Sequence, residues 1–295
     1  MKYLYKVILM LGLFIATTVS AQQDPSYTMY RYSMNLINPA YAGANETIDF
    51  GASVRSQWSN VKGAPETQSF IFGIPLGKNV GLGLSIINDK TFIENQTSVA
   101  LDFSYLLKLN DNYDLYFGIK AGLNSYDANT RGLITYSIEQ DPNLMNLSGQ
   151  LNPNIGAGVY LKHNDCFISF SVPRILSPDR LEEENGIATV GTDKVHVYLS
   201  GGYNFIITEN IILKPSVLIR HVEASPLSID LTALLEFNKY FDLGAAYRID
   251  ESISGLLMFK ASNALQIGYA YETPLENSIR SIDNGTHEVL MRLSL

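Results

Sequence analysis

Four histidines, His163, His196, His221 and His287, and one cysteine, Cys166, are the side chains best suited to metal or nucleophilic chemistry. A metal site needs ligands spaced so that they reach one point, as in His-x-x-x-His on a helix. None of the four histidines stands at such a spacing from another. A single cysteine excludes a disulfide framework within one chain and a multi-cysteine zinc site. Cys166 shares its phase with Ile168, Phe170 and Val172, so it reads as a small buried apolar side chain. Gly81-Leu82-Gly83 and Gly156-Ala157-Gly158 lack the third glycine and following helix of a dinucleotide fingerprint. Gly77-Lys78 has no glycine upstream at phosphate-loop spacing, and no Gly-x-Ser-x-Gly elbow occurs. The expectation is a chain that is not an enzyme, with no metal and no cofactor.

What recurs instead is charge in a fixed phase. Asp49, Arg55, Asp102, Lys120, Lys162, Lys214, Arg220, Asp230, Glu236, Arg248, Lys260, Glu272 and Arg292 each fall on the polar phase of an alternating segment. Side chains two apart share one face of a strand, so these groups share an inner face if the strands close on one another. Both signs are present, which predicts a mutually neutralising network across a narrow interior. The net charge of −8 argues against nucleic acid as a partner, since that requires a basic face to release counterions.

The segments that set this phase are clear. Val99, Leu101, Phe103, Tyr105 and Leu107 alternate with Ala100, Asp102, Ser104, Leu106 and Lys108; Leu115, Phe117, Ile119 and Ala121 alternate with Tyr116, Gly118, Lys120 and Gly122. Fourteen strands are expected, at 46–58, 67–76, 79–89, 96–109, 113–124, 153–163, 165–173, 194–207, 211–222, 226–237, 241–250, 252–261, 264–273 and 286–295. Runs of about ten residues suit a tilted strand crossing a bilayer. Every second connection is short and usually carries Asn or Asp: Gly77-Lys78-Asn79, Asn110-Asp111-Asn112, Asn164-Asp165, Thr208-Glu209-Asn210, Asn238-Lys239 and Ser262-Asn263. The connections near 125–152 and 174–193 are long, and those near 59–66 and 274–285 are intermediate.

Short periplasmic turns opposite longer extracellular loops are the habit of outer-membrane barrels. The fold expected is therefore all-β, a closed antiparallel transmembrane β-barrel over 46–295, with both termini on the periplasmic side. A secreted β-sandwich also alternates, but its strands run to about five or six residues and it needs no such rhythm.

At the start, Lys2 and Lys6 precede an apolar run from Val7 to Val19, and Val19-Ser20-Ala21 places small residues before a cut. This predicts a cleavable signal peptide over 1–21. No later run is apolar enough for a membrane helix. Between leader and first strand lies 22–45, aromatic and without alternation. Pro39 disfavours helix at Asn38, and Gly43 permits a turn. Such a segment is expected to pack in the periplasmic mouth or against a partner, as a lumen plug or as a docking element.

Gln22-Gln23-Asp24-Pro25, then Asn35, then Asn38-Pro39-Ala40-Tyr41-Ala42-Gly43, resembles the PorP/SprF family of Bacteroidetes outer-membrane proteins. Arg55-Ser56-Gln57-Trp58 and Gly63-Ala64-Pro65-Glu66-Thr67 add to the resemblance. It implies a role in the type IX secretion system, as an adaptor or anchor in the outer-membrane lipid. The partners it implies are a peptidoglycan-linked periplasmic lipoprotein ring and secreted cargo, including surface adhesins of gliding cells. The residues it marks for partner docking are Asn35, Asn38, Pro39, Ala40, Tyr41, Gly43, Arg55, Gln57 and Trp58. For Trp58 the competing reading is the interfacial aromatic girdle; for Arg55 and Gln57 it is the lumen network. The alternative function is a small-molecule channel of fatty-acid-transporter size, and a barrel enzyme ranks third.

Overall fold

The computed structural model describes residues 25–77, 79–129, 147–176, 179–184, 187–192, 194–223, 225–276 and 284–295. The expected leader, Lys78 and most of the first long connection lie outside them. The strands are β1 (Asp49–Ser56), β2 (Glu66–Pro75), β3 (Val80–Thr91), β4 (Glu94–Lys108), β5 (Tyr113–Ala128), β6 (Leu147–His163), β7 (Cys166–Arg174), β8 (Asp179–Glu184) and β9 (Ile187–Thr192). They continue as β10 (His196–Tyr203), β11 (Phe205–Thr208), β12 (Ile211–Val222), β13 (Ser228–Phe237), β14 (Phe241–Arg248), β15 (Ser252–Lys260), β16 (Leu265–Pro274) and β17 (Thr286–Ser294).

Each barrel strand pairs antiparallel with its neighbours, and β1 meets β17 from Asp49↔Ser294 to Ser56↔His287, which closes the cylinder. β10 and β11 are one barrel strand interrupted at Asn204, since both pair with β12. Counted so, the barrel has fourteen strands. β8 and β9 form a separate hairpin within the connection from β7 to β10.

Alternation sets the two faces. Ile119 is 63% exposed and its neighbour Lys120 only 6%; Leu101 is 64% exposed and Asp102 only 1%. A water-soluble protein would reverse these values. A continuous outer band of exposed Leu, Ile, Phe and Tyr requires lipid as its solvent, and closure leaves no backbone edge to face hydrocarbon.

The short turns work as their residues imply. Asn238 and Lys239 both take left-handed φ, +49° and +63°, as a two-residue hairpin joining right-twisted strands demands.

Four expectations change. β4, β5 and β6 run beyond the apolar alternation, because pairing such as Gln96↔Tyr126 and Asn124↔Asn152 continues among polar residues. The connection expected at 174–193 contains the β8–β9 hairpin, which carries little apolar signal. The strand expected at 194–207 breaks at Asn204, whose N–H turns aside to Asp165 O. β1 ends at Ser56, and Gln57 N–H donates to Pro65 O. Trp58 therefore leaves the strand with φ +45°, 40% exposed in the β1–β2 connection.

The plugged lumen as candidate functional site

The barrel interior is occupied by the chain's own residues 25–48. Two 3-10 turns, Tyr30–Tyr32 and Pro39–Tyr41, flank one helical turn at Met34–Ile37. Thr28 and Ser26 meet groups near the long-loop ends of β1, β16 and β17. Gly43, Ala44 and Glu46 meet the short-turn ends of β3 and β6. The segment thus spans the lumen from one mouth to the other. The expectation was packing in the periplasmic mouth or against a partner, as a lumen plug or a docking element.

Asn38 is the pivot of the short-turn half and is fully buried. Its Oδ1 accepts from Ala40 N–H at 2.9 Å, capping the 3-10 turn that Pro39 opens. Its Nδ2 donates to Val159 O at 3.0 Å and to Ser169 Oγ at 2.7 Å. One side chain therefore ties turn geometry to the walls β6 and β7. Inner-face glycines let the turn approach: a Cβ on Gly118 would overlap Ala40 N and Pro39 C, one on Gly158 would overlap Asn38 Oδ1, and one on Gly81 would overlap Ala42 O. Gly43 turns the chain with φ +72° against β2 and β3. Tyr41 packs edge-on to Tyr160 at 5.1 Å. Ser171 Oγ donates to Ile37 O, and Ser104 Oγ to Ala42 O.

The long-loop half is ionic. Arg55, 1% exposed, lies 3.1 Å from Glu272 and 3.2 Å from Glu288, and it donates to Thr28 Oγ1 at 2.8 Å. Glu288 accepts the backbone N–H of Thr28 and Met29, and Thr28 Oγ1 donates to Glu272. Arg248 adds a contact to Asp230 at 2.7 Å and to Glu272 at 3.5 Å. Beside this network Met29 fits an apolar inner patch of Leu234, Leu256, Met258 and Leu290.

Between the halves, Tyr30 donates to Ser216 and Tyr32 to Asp242. Burial pushes the Tyr30 phenol up to about 12; burial and then Asp242 push Tyr32 up as well. Both stay neutral hydrogen-bond donors at any physiological pH. Where the segment leaves the lumen, Lys162 reaches Ala44 O and Glu46, each at 2.9 Å. The Lys162 hydrogen bond holds the Glu46 carboxyl below its ordinary value.

The residues marked by the sequence divide. Asn35, Asn38, Pro39 and Ala40 are buried, with Tyr41 and Gly43 partly so, and Arg55 joins the same segment through Thr28 at its other end. Gln57 and Trp58 lie apart, at the long-loop rim. Of the charged set, Lys120 pairs with Asp102, Lys214 and Lys260 with Glu236, and Arg292 with Asp49. Sequence reasoning missed Glu288 and Asp242, although both occupy the polar phase of their strands. It also missed Thr28, which carried no signal. Cys166 is half-exposed at the β7 end, not buried. His196 is buried in the inner phase. The acidic run Glu182–Glu184 belongs to β8.

The sequence matches the family model described as Type IX secretion system membrane protein PorP/SprF over residues 19–293. Similar solved structures include the Acinetobacter baumannii outer membrane protein Omp33, at 10% identity over 84% of this chain and 99% of that one, TM-score 0.47. They also include the CymD monoaromatic hydrocarbon channel, at 10% identity over 89% and 91%, TM-score 0.49. CdiB from Acinetobacter baumannii is similar at 8% identity over 84% of this chain and 60% of that one, TM-score 0.44. No curated protein matches the chain.

Proposed function

This chain belongs to the PorP/SprF family of type IX secretion system membrane proteins, and from that premise we propose that it is an adaptor or anchor of secretion in the outer membrane, not the protein-conducting pore. The observation that carries this reading is the filled lumen. Asn38 and Ala40 are wholly buried between the barrel walls, and Arg55 locks the other end of the same segment. Open aqueous lumens belong to barrels of about sixteen strands and more. At fourteen strands with a packed interior, no folded polypeptide has a path.

Binding is then the work of the two rims. On this reading the short turns face the periplasm and engage a cell-wall-linked lipoprotein of the secretion machinery. The long-loop connections, with the β8–β9 hairpin among them, face secreted cargo such as surface adhesins. A leader over 1–21 delivers the chain and is removed. On this reading the C-terminal strand ends in the periplasm, while Pro25 lies in the long-loop half of the lumen.

Pulldown of the mature protein from detergent extracts tests the role. Recovery of secretion-system components, with loss of surface adhesin in a deletion strain, is the expected result. Recovery of none, with normal adhesin display, would overturn it. The rival channel function requires the 25–48 segment to move, and planar-bilayer conductance of the intact protein distinguishes the two. Sustained substrate-selective conductance favours the rival.

A further inference from the structure

At the short-turn rim the wall is uneven. β7 begins at Cys166, and the last bond across from it is Asn204 N–H to Asp165 O at 2.6 Å. Past that point β11 continues through Phe205–Thr208 at the end of the sheet order, paired with β12 alone. Among the described residues its other edge meets no backbone, so every second residue turns its N–H and C=O away from the protein. The overhang is held at its root: Asn204 Oδ1 accepts from Arg31 of the plug at 2.6 Å, and the Tyr203 and Phe205 rings lie 4.5 Å apart.

Phe205, Ile206 and Ile207 are 50%, 69% and 56% exposed. Lipid can cover Phe205, which shares the outer phase with Leu213. It cannot cover Ile206, which lies opposite Ile212 and in line with Glu236 on the inner phase. Nor does hydrocarbon offer the free edge any hydrogen bonds. Edge strands are ordinarily guarded by Lys, Pro or a bulge that turns them away. Where β4 runs past β3, beyond the bond from Leu106 N–H to Asn79 O, Lys108 stands guard. β11 carries Phe-Ile-Ile-Thr, strong strand formers without a charge among them.

We propose that β11 is a docking edge that takes one extended segment of a partner protein as an added strand. A row of free backbone groups selects an extended chain, since only that geometry repeats at the same spacing. Ile206 on one face and Phe205 and Ile207 on the other call for apolar side chains on both faces of the guest. Charge sets its ends. Asp165 at the root and Glu209 in the turn put a carboxylate at each end of the edge, and neither has an ion pair among the described residues. The complementary segment is therefore basic at both ends. A second copy of this chain does not fit. Two barrels in one membrane share an orientation, whereas an edge that pairs with itself across a two-fold must run antiparallel. The proposal rests on the reading that the short-turn rim binds a periplasmic partner, and it names the element that does so.

The full mature protein in phosphatidylcholine nanodiscs is titrated with a fluorescent peptide, Lys-Val-Ile-Thr-Val-Lys, and binding is read by anisotropy. A glutamate-ended counterpart and a backbone N-methylated form complete the panel. The lysine-ended peptide binds saturably, the glutamate-ended one about tenfold more weakly, and the N-methylated form not at all. Ile206→Asp adds a charge of the attracting sign yet weakens binding by about tenfold, because it guards the edge. Glu209→Lys narrows the preference between the two charged peptides, and Leu109→Lys, in another turn of the same rim, changes nothing. Each variant must keep the heat-modifiable gel mobility of the folded barrel. Equal binding of all three peptides, no binding by any, undiminished binding to Ile206→Asp, or a dimer that this substitution dissolves would each overturn the proposal. The side of the membrane is tested apart from the edge. Ile207→Cys with Cys166→Ser is labelled by an impermeant maleimide only after the outer membrane is opened. Labelling of intact cells would overturn the periplasmic reading, whatever the titration shows.

Discussion

Residues 38–46 and residues 26–32 belong to one continuous segment inside one barrel, yet the wall receives them by different physics. Around Asn38 the wall is stripped to glycine, and contact is made backbone to backbone with amide and hydroxyl bonds. Around Thr28 the wall carries Arg55, Glu272 and Glu288, and contact is made through full charges excluded from water. The first arrangement is specified by shape, which neither salt nor pH can alter. The second is specified by charge balance, and it fails when one member is removed. A plug fixed by both is held in register at each mouth, and substitutions should separate the two contributions.

The largest effect is expected in the cradle. Gly118→Leu places side-chain atoms where Ala40 N and Pro39 C now lie, and those blocking atoms are backbone. Overpacking ordinarily costs about 1–3 kcal/mol when side chains can yield; here they cannot, so the seated state is lost. Protease cleavage within 38–46 and a rise in bilayer conductance report it. Gly255→Ala, whose Cβ would meet nothing, leaves both unchanged. Retained protection in Gly118→Leu would mean that shape does not hold this half.

Second is Arg55→Met, which strands two buried carboxylates. Breaking a buried pair on one side costs about 3–5 kcal/mol, and Arg248 and the Thr28 amide lower the loss toward the bottom of that range. Release should begin at Ser26–Met29 and leave 38–46 protected in hydrogen exchange. The double variant Arg55→Met with Glu288→Gln recovers part of the loss, because one orphaned charge is gone.

Alkali should act between the two ends. The Tyr30 phenol, raised from about 10 to about 12 by burial, contributes stability that is complete below pH 10 and lost as pH rises through 12. Two pH units correspond to about 3 kcal/mol. Tyr32 shifts the same way. Tyr30→Phe lessens the dependence and Tyr30→Phe with Tyr32→Phe lessens it further, measured as protection against pH from 9 to 12. A cradle-first release in alkali would contradict the division between the halves.

Asn38→Ala comes next. It leaves Ala40 N–H without its acceptor and removes the donor to Val159 O and Ser169 Oγ, for a loss of about 2 kcal/mol. Asn38→Asp keeps the cap on Ala40 but forfeits donation to Val159 and Ser169 and adds a buried charge, so it should be worse than alanine in the same protection assay.

These contrasts explain what the sequence could and could not announce. Strands follow from period-2 alternation because each residue faces lipid or lumen independently of its partners; that is why Val99–Leu109 and Leu227–Phe237 were readable one segment at a time. The charged interior was readable for the same reason, as far as the phase. Which charges meet was not, because Arg55 finds Glu272 and Glu288 across the barrel seam, more than two hundred positions away. The path of 25–48 was hidden for a further reason. Its residues obey no period, and its position depends on glycines at 81, 118 and 158, whose inner phase announces tight packing inside the barrel but not what packs there. Leu234, Leu256, Met258 and Leu290, apolar in a polar phase, are a signal that something apolar such as Met29 has to be received inside.

The smallest effect belongs to the exit, where neither mode of holding is complete. The Glu46 side chain is largely exposed, and its pair with Lys162 is screened by solvent and salt, worth well under about 1 kcal/mol. Its carboxyl is held below the ordinary value, so the pair contributes above that value and is lost as pH falls through the lowered one. Protection at 43–46 should therefore weaken slightly in acid and at high salt, while that of Asn38 does not. The choice of substitution decides whether the test is clean. Glu46 sits at φ +63°, a region that favours glycine, so Glu46→Gly removes the ion pair and a backbone strain together, and the two changes oppose each other. Glu46→Gln removes the charge alone. If Glu46→Gln keeps the full acid and salt response, Lys162 is working through Ala44 O instead, and the exit belongs with the backbone-held half of the plug.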